Sequence, residues 1–224
     1  MKIPKYYFSG EFTAFEELFL RLGAQVRTYQ PEDFLARAGE WDGRCFYVRK
    51  GIHVLSGVRE DGRDSLMLLF GPGSVYPFAC QRGDLFQELY LSSRAVTEVE
   101  ALVLTREQLA AAVEESGALA LTAIQQHCEL EHLLLMQRLF HSGGAPRLKV
   151  GSFLYLYDQA RPEMGDALYL TQENVANFVG LSRMQVSRVF RELRRLGLIR
   201  TGRHQILVTD PEGLSEWCME QMEI

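Results

Sequence analysis

The chain has 224 residues, 47% of them apolar and 24% charged, an ordinary globular composition that excludes wholesale disorder and leaves room for one large domain or two modest ones. Its net charge of −5 argues, taken alone, against a nucleic-acid binder. No apolar run approaches the ~18 residues of a membrane-spanning helix. The N-terminal Met1-Lys2-Ile3-Pro4-Lys5-Tyr6-Tyr7 runs into Ser9-Gly10-Glu11 with no long apolar core, so no secretory signal is expected. Cys45, Cys80, Cys128 and Cys218 lie far apart and make no CxxC knuckle or disulfide framework. The expectation is a soluble cytoplasmic protein with reduced thiols and no membrane contact.

Glu11 to Leu22 reads as a short amphipathic helix, with Thr13 and Glu16 as a capping box and Phe12, Phe15, Leu18, Phe19 and Leu22 as its apolar stripe. From Val26 to Leu104, short apolar runs alternate with turns such as Asp42-Gly43, Lys50-Gly51 and Gly71-Pro72-Gly73. The runs Cys45–Val48, His53–Leu55, Ser65–Phe70 and Glu100–Leu104 read as strands of a small barrel or sandwich. Thr105-Arg106-Glu107-Gln108 opens a helix with a second capping box, and Ser116-Gly117 interrupts it. Ala118 to Phe140 is a long helix. Its Leu121, Ile124, Cys128, Glu131, Leu135 and Arg138 alternate at spacings of three and four, a coiled-coil register with polar intrusions. His141 to Pro146 is a hinge-like linker. A helix from Arg147 to about Gln159 then buries Leu148, Phe153, Leu154 and Leu156.

Residues 170–209 carry the chemistry. Thr171 caps a short helix, Gln172 to Val179; Gly180 makes the turn; Ser182 caps a second helix that Gly197 ends. Two helices joined by a short glycine-containing turn are a helix-turn-helix signature. Val186, Phe190 and Leu193 form the buried face of the second helix, which turns Met184, Arg188, Arg191 and Arg195 outward. Ile199 to Leu207 reads as a β-hairpin, the wing of a winged helix, with Arg203 near its tip. Between Leu181 and Gln205 stand seven arginines and one acid, Glu192: a basic patch on an acidic body, the footprint of phosphate binding. Arginine suits phosphate and guanine geometry better than lysine does. The residues expected at duplex DNA are Thr171, Gln172, Ser182, Arg183, Met184, Gln185, Ser187, Arg188, Arg191 and Arg203.

With these motifs in place, the chain resembles the cAMP-receptor/fumarate-nitrate-regulator (CRP/FNR) family of bacterial transcription factors over nearly its whole length. The run Leu170 to Arg188 is similar to that family's helix-turn-helix. Ala38-Gly39-Glu40, Phe46 to Gly51 and Phe70 to Gly73 are similar to the glycine-marked turns of its β-roll. The resemblance implies an α+β chain: a β-roll sensor of the cyclic-nucleotide-binding type over residues 1–116, a dimerisation helix over 117–141, and a winged helix-turn-helix over 142–224. It implies a ligand-responsive homodimer on a pseudo-palindromic operator, with RNA polymerase as a further partner. No nucleophile–base pair, phosphate loop or metal triad stands out, so no enzymatic activity, catalytic residue or cofactor is expected.

Two departures stand out. Cyclic-nucleotide members of the family follow the glycine turn with a Gly-Glu pair and later carry an Arg-Ser or Arg-Thr pair. Here Gly73 is followed by Ser74, and Tyr90-Leu91 stands where the arginine belongs, with Arg94 out of step. A buried phosphate would lack its cation. Val75, Tyr76, Phe78 and Tyr90, with His127 and Glu131 of the long helix, are the candidate effector pocket, suited to a small apolar or aromatic molecule. Val75, Tyr76, Phe78 and Tyr90 could equally fill the roll, and His127 and Glu131 could be surface or register polar groups of a dimer helix. The second departure is Met184, where many members have glutamate. Methionine can meet a thymine methyl but cannot accept from cytosine. His127 and His132 are five apart and cannot share one zinc from that helix, and no cysteine precedes Cys45 to build an iron–sulfur cluster. Alternative readings on the same frame are a haem, metal or redox sensor, through His53, Cys80 or Cys128, and a cyclic-nucleotide-responsive regulator.

Overall fold

The structure is a computed structural model that describes residues 7–40, 42–58, 64–78, 91–141, 146–164, 171–202 and 205–220. In chain order its elements are β1 (Tyr7–Phe8), α1 (Glu16–Arg21), β2 (Gln25–Tyr29), β3 (Phe34–Ala36), β4 (Cys45–Lys50), β5 (His53–Val58), β6 (Asp64–Phe70), β7 (Val75–Tyr76), β8 (Leu91–Ala95), β9 (Val99–Leu104), α2 (Arg106–Glu115) and α3 (Gly117–His141), followed by α4 (Pro146–Met164), α5 (Gln172–Val179), α6 (Arg183–Arg195), β10 (Ile199–Gly202), β11 (Gln205–Val208) and α7 (Pro211–Glu220). The chain divides into two compact units between Leu130 and Glu131, inside α3. The junctions expected from the sequence lie instead at the two ends of that helix.

In the first unit, strands in the order β1-β6-β5-β8-β3 form one sheet and β2-β9-β4-β7 the other. Side chains alternate across the second sheet as the pleat requires. Phe46, Val48, Ala101 and Val103 point one way and pack with Leu35, Ala95 and Val99. Tyr47, Leu102 and Leu104 point the other way, onto Phe12 and Phe19, Leu109 and Ala112 of α2, and Leu119 and Ala123 of α3. Both faces are covered, so β4 shows an unbroken buried run from Cys45 to Val48 rather than alternation. Behind these layers, Phe70 stacks on Phe8, His53 and Tyr76, with centroids at 5.6, 5.1 and 4.6 Å.

The Thr13–Glu16 capping box does not form. Residues 13–15 are a 3-10 turn, and α1 starts only at Glu16, with Phe15 as an N-cap lacking any side-chain bond. The Thr13 hydroxyl donates to the Gly10 carbonyl, while Glu16 accepts from the Tyr47 hydroxyl at 2.9 Å and from Arg49 at 2.8 Å. Stronger long-range partners take the carboxylate away from the helix start. The segment is held by backbone bonds to the glycine turn: Gly10 N donates to Pro72 O at 2.8 Å and Phe12 N to Gly73 O at 2.7 Å. Gly73 has φ +78, and a Cβ there would lie 2.8 Å from the Gly10 Cα, so this close approach requires glycine.

Thr105 caps α2 in the expected box, each partner bonding the other's backbone N–H. Ser116 then serves two helices: its N–H closes α2 on the Ala112 carbonyl, and its hydroxyl accepts from Leu119 N in the first turn of α3. In the second unit, α4 buries Leu148, Val150, Phe153, Leu154 and Tyr157, whereas Leu156, expected in that core, is only half-buried. Phe153 stacks on Phe178 of α5 at 4.8 Å.

Candidate nucleic-acid interface

Three local rules build the helix pair. The Thr171 hydroxyl accepts from Asn174 N at 3.1 Å while Asn174 Oδ1 accepts from Thr171 N at 2.9 Å. Gly180 ends α5 in the left-handed region at φ 65, ψ 36, where a side chain is disfavoured. The Ser182 hydroxyl then accepts from Gln185 N at 3.3 Å, and Gln185 Oε1 accepts from Ser182 N at 2.9 Å. Thr171, Ser182 and Gln185, named as DNA-facing from the sequence, are thus first of all helix caps.

The apolar face of α6 buries Val186, Val189, Phe190 and Leu193; the sequence reading had missed Val189 because the stripe it traced was too narrow. Arg183, Met184, Arg188, Arg191 and Arg195 are exposed, Met184 at 68%, and Ser187 and Gln172 are half-buried. β10 and β11 pair from Ile199↔Val208 to Gly202↔Gln205, which is the expected hairpin, with Arg200 exposed on its first strand. Arg203 lies outside the described residues. Arg194 Nη1 donates to the Thr201 hydroxyl at 3.0 Å, joining α6 to the hairpin. The patch's one acid, Glu192, is held by Arg147 of α4 at 2.9 Å. Among the described residues no carboxylate pairs with Arg183, Arg188, Arg191, Arg194, Arg195 or Arg200. The result is an uncompensated row of guanidinium groups on a capped helix and its neighbouring ribbon, which can bind phosphate oxygens and guanine edges.

The candidate pocket residues part company. Val75 is buried against Phe12 and α2, and Phe78 stacks on Phe12 at 5.5 Å. Tyr76 lies on the opposite face of β7, stacked on Phe70, and burial pushes its hydroxyl up to about 12. His127 and Glu131 are exposed on α3, with His127 Nδ1 2.9 Å from the Ala123 carbonyl of its own helix. Tyr90 lies outside the described residues. The Ser74 hydroxyl donates to the Gly71 carbonyl at 2.6 Å, and Arg94 pairs with Glu32. The sequence singled out His53 only as a remote haem ligand. It is fully buried on β5, its Nδ1 2.7 Å from the Ser93 hydroxyl and its Nε2 without a hydrogen-bond partner among the described residues. Burial pushes it down to about 3. Cys45 and Cys218 are buried, Cys218 pushed up to about 11 by desolvation, Cys128 is exposed, and Cys80 is outside the described residues. Among the described residues no cluster of three or more His, Cys, Asp or Glu could hold a metal ion, and no helix is long and apolar enough to cross a membrane.

Two family models match the chain, one within each unit. A cyclic nucleotide-binding domain matches residues 26–116, and a Crp-like helix-turn-helix domain matches residues 149–217. The chain belongs to the CRP/FNR family of transcription regulators. It is 26% identical over 198 residues to the nitrogen fixation regulation protein FixK of Rhizobium meliloti, covering 86% of this chain and 87% of that one. It is 26% identical over 213 residues to the global nitrogen regulator of a Synechocystis species, covering 89% and 93%. Its fold matches a CooA variant from Carboxydothermus hydrogenoformans with a TM-score of 0.71 at 18% identity, over 89% of both chains. A CRP/FNR protein is a DNA-binding transcription regulator rather than an enzyme, and α5, α6 and the β10–β11 hairpin are this chain's winged helix-turn-helix.

Proposed function

We propose that this regulator is a cytoplasmic homodimer that reads a pseudo-palindromic operator with α6, responds to a small apolar or aromatic effector in its β-roll, and works through RNA polymerase. The observation that carries the reading is the arginine face of α6, exposed and free of acids. Arg183 and Arg188 lie toward the N-terminal part of the helix, where a recognition helix meets base edges. Arg191, with Arg203, serves phosphates. A second support is α3, where Leu121, Ile124 and Leu135 are 64%, 58% and 54% exposed in the register that suits a second copy of the helix. The two recognition helices of such a dimer read half-sites about 34 Å apart.

The effector reading favours an uncharged molecule. The Ser74 hydroxyl is engaged with its own turn, and Arg94 with Glu32, so neither is free to hold a cyclic phosphate. Selection of binding sites from random DNA, with and without cell metabolites and with cAMP as a separate arm, tests the proposal. The expected product is an inverted repeat whose affinity falls steeply with salt, by about 0.9 in log–log slope per phosphate contact, and does not respond to cAMP. Alanine at Arg183 and Arg188 abolishes selection. A non-palindromic site bound by a monomer would refute the dimeric reading.

A further inference from the structure

Glu192 stands on the recognition helix four residues after Arg188 and three before Arg195. These are the two spacings at which side chains on a helix meet and opposite charges pair. Left to its own helix, the carboxylate would close on one of those arginines and cancel a cation on the DNA face. It does neither. It pairs with Arg147 Nε at 2.9 Å, on a different helix, and its side chain is only 20% exposed. Among the described residues, neither Arg188 nor Arg195 has an acidic partner.

We propose that Arg147, which lies outside the helix-turn-helix, is a positioning residue for DNA binding. By drawing Glu192 to the α4 side of α6, it keeps Arg188 and Arg195 available to the duplex. The inference rests on the reading of α6 as the recognition helix. The chemistry favours the arrangement. The competing Arg188–Glu192 pair runs in the weaker of the two i,i+4 orientations. A guanidinium from a neighbouring helix reaches the carboxylate from the α4 side of α6. Arg147 therefore acts on the DNA through the acid it occupies, with no contact of its own required.

The test uses the full chain and measures its affinity for a selected operator, and for unrelated duplex DNA, across a salt series. Arg147→Met should weaken both three- to tenfold and make the salt slope shallower by up to about 0.9, the value of one lost phosphate contact. Arg147→Lys should lose no more than about threefold, because an ammonium can still hold the acid. Arg147→Met with Glu192→Gln should return to within about twofold of the wild type, although the α4–α6 tie remains broken. A merely structural role would not allow that rescue, because it would lower the thermal midpoint of single and double variants alike. Lys149→Met removes one cation from the same helix without touching Glu192 and controls for net charge; it should change affinity less than twofold. The proposal fails if folded Arg147→Met binds as the wild type does, if Lys149→Met loses as much as Arg147→Met, or if the double variant stays as weak as the single. If Arg147→Met does not fold, Arg147→Lys and the double variant decide by the same thresholds. A wild-type chain with no salt-dependent affinity for DNA would instead overturn the reading of α6 itself.

Discussion

Arg194 and Thr201 join the end of the recognition helix to the first strand of the wing through a single hydrogen bond of 3.0 Å between guanidinium and hydroxyl. Both lie near the surface, where such a bond adds little to stability and acts mainly to fix geometry. Thr201→Val keeps the β-branched shape that suits the strand and removes the acceptor. We expect its thermal midpoint to stay within about 2 °C of the wild type, with DNA affinity falling two- to fivefold and sequence preference unchanged. Fluorescence anisotropy with the selected operator and scanning calorimetry read both quantities. A change in the preferred sequence would show that Thr201 meets a base.

Met184 is 68% exposed in the first turn of α6. Met184→Glu should therefore leave folding intact and add a carboxylate able to accept from cytosine N4. The expected gain for cytosine at one operator position in each half-site is about 1–3 kcal/mol, read by repeating the site selection. An unchanged profile would remove Met184 from the base contacts.

His53 makes stability depend on pH. Its folded-state value is pushed down to about 3 by burial, well below the ordinary value of 6.5. Between these limits the unfolded chain binds a proton that the folded chain refuses, so stability is greatest above about pH 6.5 and falls as pH drops toward 3. The slope is at most about 1.4 kcal/mol per pH unit. Urea melts of the wild type at pH 7.5 and pH 5 should differ accordingly. In His53→Leu the difference should shrink by the His53 share, whatever the change in absolute stability.

Gly117 opens α3 with no atom within 4 Å of the place a Cβ would occupy, and its φ is not in the left-handed region. Gly117→Ala should raise stability by about 0.4–1 kcal/mol by restricting the unfolded chain. Gly73→Ala should do the reverse, losing more than about 1 kcal/mol, because the new methyl meets Thr13 and the Gly10 backbone at φ +78. Denaturant midpoints of the two variants should move in opposite directions.

Legibility in the sequence followed the locality of the forces. Thr105, Thr171 and Ser182 cap their helices by bonds that reach three residues, so a window of four is enough to see them. The same pattern at Thr13 and Glu16 misled, because Glu16 finds Tyr47 and Arg49, residues no window joins. Strands buried on both faces, such as β4, announced themselves as apolar runs. β2 did not, since Gln25 to Thr28 are exposed, and neither did β8, whose polar Ser93 is buried against His53. The arginine face of α6 was visible in advance. The partner of its one acid was not, because Arg147 stands forty-five positions earlier. The candidate pocket was drawn from neighbours in sequence, and the pleat sends Val75 and Tyr76 to opposite sides of the sheet.

Ser116 gives the helix joint its mechanical character. One residue finishes α2 and starts α3, so there is no slack between them to absorb a displacement. A tilt of α2, which is tied to α1 through the Arg21–Glu115 ion pair, must be carried into the first turns of the long helix. The joint behaves as an elbow set in one position, and lengthening it by a single flexible residue would uncouple the two arms.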